Sequence, residues 1–155
     1  MTNILLAFST WLHTLATVVF IGHYLLLAIV YLPALSKKEA GGLMLSEISK
    51  RSRVWLYVSL LVFIVTGTYL MLIDPGYLGF MNFGNPWGVL MLVKHVLVLA
   101  MIALGFWSNA IQRLGPLMSS NTGAAQAIDR FRSHVNTMAI LGILILLLTC
   151  LAQAQ

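Results

Sequence analysis

The chain is predicted to be an all-α integral membrane protein, an up-down bundle of four helices with both termini extracytoplasmic. Three observations predict this. Of its 155 residues, 60% are hydrophobic and only 8% are charged, whereas a soluble domain carries about 25% charged residues. The apolar residues gather in four runs, each long enough for a span of roughly 20 residues. The remaining charge, 9 Lys+Arg against 4 Asp+Glu for a net +5, sits mostly between those runs. There it reports topology, and it gives no support to nucleic-acid binding. A water-soluble monomer is excluded, and the length accommodates a single transmembrane domain over residues 1–155.

The spans are expected at about 4–35, 54–73, 86–114 and 128–152, all helical because only an intrasegment hydrogen-bond ladder satisfies the backbone in hydrocarbon. The first has no basic residue ahead of its apolar run and continues past any small-residue cleavage pattern, so it reads as a retained span. The connector that follows carries Lys37, Lys38, Lys50, Arg51 and Arg53 against Glu39 and Glu47, which places it in the cytoplasm. Gly41-Gly42 interrupts the pattern there, and Leu43 to Arg53 reads either as a short interfacial helix or as a basic loop. After the second span, Asp74 to Asn85 has one acid and no base, as expected for an outside loop. Asn85-Pro86 reads as an N-cap followed by proline at the first helical position. Arg113, Arg130 and Arg132, with Asp129, mark the connector before the fourth span as cytoplasmic. The only cysteine, Cys150, says nothing about redox compartment.

Ionisable groups inside spans are the default functional candidates, because lipid makes them costly. Here they are His13 and His23 on the first span, Lys94 and His95 on the third, and His134 early in the fourth. With a rise of ~1.5 Å per residue from Ile4 and from Pro86, His13 and His95 both lie roughly 13 Å below the outer boundary. His23 lies roughly 15 Å deeper, near the level expected for His134. At ~100° per residue His13 and His23 point about 80° apart, toward different neighbours. Two imidazoles at one depth on two helices suit axial ligation of haem b, with Thr10, Thr14 or Thr17 as hydrogen-bond partners. The bland alternative is that each ring bonds a neighbouring hydroxyl or carbonyl. Lys94 either snorkels outward or pairs with an anion such as a haem propionate or a quinone oxygen. Met91, one turn before His95, adds a thioether, and imidazole with thioether also suits copper. The other methionines read mainly as apolar filler, and the tryptophans at the span ends as interfacial belts. Gly22, Gly67, Gly105 and Gly142, one per span, allow either close helix contact or room for a planar ligand.

Trp11-Leu12-His13, Phe20-Ile21-Gly22, Leu32-Pro33-Ala34-Leu35, Val65-Thr66-Gly67 and Trp87-Gly88-Val89-Leu90 leading to Lys94 form a pattern along nearly the whole chain. In this pattern the chain resembles the copper-resistance D (CopD) family of bacterial membrane proteins. The resemblance implies a bacterial inner-membrane location and copper uptake or handling, with His13 and Lys94 at shared positions. The chain departs from the family pattern at Asn136, where an acid is expected, and in having His95 directly after the lysine.

Three functions are therefore expected as candidates. The first is a haem b electron carrier in which His13 with His95, and His23 with His134, hold one or two haems, with quinone or other membrane redox subunits as partners. The second is a copper-handling protein that binds the ion through His13, His95 and Met91. The third is a structural or assembly subunit whose histidines join helices. The second histidine pair favours haem, because a single copper site leaves His23 and His134 idle. Soluble-enzyme chemistry is unsupported: no phosphate-binding glycine loop, nucleophile with a base, or paired intramembrane carboxylate is present.

Overall fold

A computed structural model describes the backbone of residues 2–35, 41–77, 79, 86–114 and 121–154, with side chains described outside 2–3, 41–43, 46, 108–114 and 121–128. Among the described residues it is all-helical: α1 (Thr2–Leu26), a π turn (Leu27–Tyr31), α2 (Leu32–Leu35), α3 (Gly41–Ile73), α4 (Pro86–Leu114) and α5 (Asn121–Gln153). Four segments are long and apolar enough to cross a membrane: Ile4–Leu35, Glu47–Ile73, Pro86–Trp107 and Asp129–Gln153. The first joins α1, the π turn and α2. Its π turn is explained by Pro33, which lacks the N–H that would bond the carbonyl four residues back and whose ring crowds that carbonyl. The backbone widens just before it, and the Leu32 N–H reaches the Leu27 carbonyl.

α3 corrects the expected break at Gly41-Gly42. Helix begins there and runs unbroken through Leu43 to Arg53 into the span, so neither a separate interfacial helix nor a loop is found. At 33 residues it is about 50 Å long, against a hydrocarbon thickness near 30 Å. Its first turns, with Glu47, Lys50 and Arg51 exposed, extend beyond the apolar layer. α5 is as long and carries exposed Asp129, Arg130 and Arg132 in its own first half. α4 begins at Pro86 as expected. Lys37, Lys38, Glu39, Met81 and Asn85 lie outside the described residues.

The closest packing joins α1 to α3 and α4 to α5, with α1 also lying on α5. Phe20, Ile21, Met101, Met138 and Ile145 form the central core, and Leu27, Leu32, Leu35, Leu45 and Val135 form a second cluster toward the charged end of α3. Two of the four span glycines permit close approach. A Cβ on Gly142 would lie 2.7 Å from Ile21 Cγ2, and one on Gly67 would lie 2.9 Å from His13 Cε1, whereas Gly22 faces open space. The tryptophans divide as well: Trp11, Trp55 and Trp107 are exposed, but Trp87 is buried against Gly76, whose Cβ would come within 2.9 Å of the indole. That contact ties the turn after α3 to the start of α4.

Candidate metal site

His13 is positioned by α3. Its Nδ1 lies 3.0 Å from Thr66 Oγ1, its ring stacks on Phe63 with centroids 4.6 Å apart, and Gly67 leaves the space the ring occupies. Thr66 is buried and its hydroxyl donates to the Val62 carbonyl one turn back at 2.6 Å. With that single hydrogen committed, the hydroxyl accepts from His13, so the imidazole carries its proton on Nδ1 and Nε2 keeps its lone pair. This is the arrangement that orients a metal-binding histidine: one nitrogen fixed by a protein hydrogen bond, the other left as a donor. The expected threonine partners are different. Thr10, Thr14 and Thr17 all donate to carbonyls of their own helix, as threonines in helices commonly do.

On α4, Lys94 is the residue whose charge is felt at His13. It is partly buried and interacts electrostatically with both His13 and Asp74. Asp74, at the end of α3, is the acid whose charge Lys94 senses. Asp74 is itself held in place: its Oδ1 accepts the Gly76 N–H at 2.8 Å, and its carbonyl accepts the Tyr77 N–H at 3.0 Å.

His95, one position further on, is exposed, and its Nδ1 lies 2.6 Å from the Met91 carbonyl. A carbonyl only accepts, so His95 also carries its proton on Nδ1 and keeps the Nε2 lone pair. His13 thus turns into the α1–α3 interface while His95 turns out of the bundle, and the expected convergence of the two rings is not seen. At the other end, His23 Nε2 lies 3.4 Å from Ser52 Oγ, a long contact. The Tyr24 ring makes edge contacts to both remaining histidines, with centroids 5.3 Å from His23 and 6.5 Å from His134. The cavity that His23, Tyr24 and His134 share measures about 80 Å³, and His23 also borders a more open apolar cleft of about 420 Å³ beside Gly22 and Trp55.

These residues do not fit haem b. A bis-histidine haem requires two rings facing one flat slot, but Tyr24 contacts both rings of the inner pair and the outer pair diverges. Nor does the arrangement support quinone or redox subunits as partners. Among the described residues, no three His, Cys, Asp or Glu side chains form a cluster able to hold a metal ion. Any metal here would therefore meet few ligands, with His13 and His95 each keeping a lone pair on Nε2.

The sequence singles out His13 and Lys94 as candidates and gives no role to Thr66 or Asp74. Thr66 lay within a recognised three-residue pattern without an assigned role, and Asp74 was the lone acid of its loop.

The family model described as copper resistance protein D matches residues 46–152, so it takes in Thr66, Asp74 and Lys94 and begins after the first span. No curated protein and no solved structure matches the chain.

Proposed function

Because the chain belongs to the copper resistance protein D family, we propose that it takes up or handles copper in the bacterial inner membrane, with the ion as cargo and His13 as its principal ligand. The observation that carries this reading is the Val62–Thr66–His13 chain of hydrogen bonds. It supports the tautomer with the proton on Nδ1, in which the Nε2 lone pair would bind Cu(I), an ion that accepts few nitrogen or sulfur ligands.

Lys94 limits how long a cation stays. Its ammonium opposes positive charge beside His13 and Asp74 offsets part of that opposition, so a monovalent ion is disfavoured less than a divalent one. Weak enough binding is what a passing cargo requires. Met91 and His95 offer a thioether and a second free Nε2 on one turn of α4. Since His95 faces outward, they form a separate station on the route and not further ligands to the ion at His13. The basic residues in the first turns of α3 and the first half of α5 support a cytoplasmic position for those ends and an outer position for the Asp74 end. Copper then enters from the Asp74 side.

Liposomes containing the purified protein and an entrapped Cu(I)-responsive dye test the proposal. Wild type should deliver copper to the dye, and His13→Ala should not. If wild-type protein neither binds Cu(I) nor moves it, copper handling is wrong for this chain.

A further inference from the structure

The cavity of about 80 Å³ near the charged end of α3 is lined by all four long helices, and the copper reading makes no use of it. It lies roughly 15 Å along α1 from His13. Every polar group in its lining, Tyr57 of α3 included, can donate a hydrogen bond, and its one fixed charge is the cation Arg53. Arg53 and Ser49 come from α3, Tyr24 and His23 from α1, and His134 from α5, and no carboxylate is among the described residues that line it. Two of these groups lack a match. Ser49 Oγ is buried with no hydrogen-bond partner among the described residues. Arg53 is half-buried, and no ion pair engages it among the described residues. Glu47, nearby on α3, is exposed and does not line the cavity.

A buried hydroxyl without a partner is unfavourable, and a half-buried guanidinium with no acid beside it among the described residues is only partly compensated by solvent; one bound anion would satisfy both. Water alone would serve Ser49 but leave the Arg53 charge uncompensated. A cation would face Arg53 with no acid to hold it. At roughly 30 Å³ per water in the liquid, the space equals two or three waters, enough for one small oxyanion and too little for a nucleotide or a cofactor. The geometry points to an oxyanion site in this cavity, in which a phosphate-type group is held by the Arg53 fork and the Ser49 hydroxyl, with Tyr24, His23 and His134 around it. Arginine presents its N–H groups in a planar fork that matches such oxygens. Free phosphate and the phosphate of an anionic lipid headgroup offer the same chemistry. The bound group would balance the Arg53 charge and tie α1, α3 and α5 together at this end. The site does not depend on copper binding.

Thermal unfolding of the full chain in uncharged detergent tests it in two arms. One arm titrates inorganic phosphate against chloride at equal ionic strength, and the other adds phosphatidylglycerol against phosphatidylcholine. A saturable rise in midpoint with phosphate, or with phosphatidylglycerol alone, is expected. The first result identifies a free ion and the second a headgroup. The half-saturating concentration should increase at least about tenfold in Arg53→Gln and stay unchanged in Lys50→Gln, which removes an exposed cation from the same helix. Should Arg53→Gln fail to fold, Ser49→Ala decides: a weakened response supports the site, and an unaltered one overturns it. The site is equally overturned if neither additive raises the midpoint, or if Lys50→Gln weakens the response as much as Arg53→Gln.

Discussion

Thr66→Val tests whether the hydrogen bond behind His13 prepares it to bind metal. The substitution keeps the branched shape against Phe63 and Gly67 and removes only the oxygen that lies 3.0 Å from His13 Nδ1. The Val62 carbonyl loses the extra donor at 2.6 Å but retains its helical bond, so α3 should persist. His13 then has a part-buried N–H without its acceptor, at a cost of about 1–3 kcal/mol, and its ring is free to turn or change tautomer. Loss of a hydrogen-bond partner behind a metal-binding histidine typically weakens metal affinity 10–100-fold, or about 1.4–2.7 kcal/mol. Competition for Cu(I) against a chelator of known affinity should show a drop of that size in Thr66→Val. Thr66→Ser, which keeps the hydroxyl, should stay within about threefold of wild type. Wild-type affinity in Thr66→Val would refute the reasoning, because His13 would then need no fixed tautomer. Equal losses in Thr66→Val and Thr66→Ser would point to packing against Phe63 instead.

Gly142→Ala should destabilise the bundle by about 1–3 kcal/mol through overpacking, since its Cβ would meet Ile21 Cγ2 at 2.7 Å. Gly22→Ala, with open space around it, should stay within about 0.5 kcal/mol, and unfolding in mixed detergent ranks the two. Gly76→Ala should displace Trp87, whose indole lies 2.9 Å from the new Cβ, and a shift in tryptophan emission would report it; unchanged emission would mean that the turn adjusts elsewhere. Purified wild-type protein should show no stoichiometric reduced-minus-oxidised haem absorbance. A strong signal lost in His23→Ala would restore the haem reading. Reporter fusions at the C-terminus should be active only when the reporter works outside the cytoplasm, and a cytoplasmic result would reverse the direction proposed for copper.

The parts of this protein that depend on bulk transfer to lipid were legible in the sequence. Runs of apolar residues locate the first and fourth spans to within one position, while the start of the second and the end of the third differ by seven, and Pro86 starts α4 where a proline is best tolerated. Continuity of α3 through Gly41 was not legible. Glycine weakens a helix without forbidding it, and a helix longer than the bilayer needs no apolar signature in its protruding turns. Depth was readable from the helical rise, but direction was not. His13 and His95 were assigned to one site because they share a level, and a level leaves open which neighbour each ring faces. Packing decided that question. Gly67 opens α3 to His13, while on α4 Lys94 is partly buried and its neighbour His95 is exposed. Two histidines at one depth are therefore weak grounds for a shared ligand until the helix between them is known. Here α3 provides His13 with a hydroxyl, an aromatic face and a gap. Those three contacts fix where the His13 ring lies. A neutral ring that donates from one nitrogen keeps a lone pair on the other whether it binds metal or only joins helices, so it is the loss of Cu(I) affinity in Thr66→Val that separates the two roles.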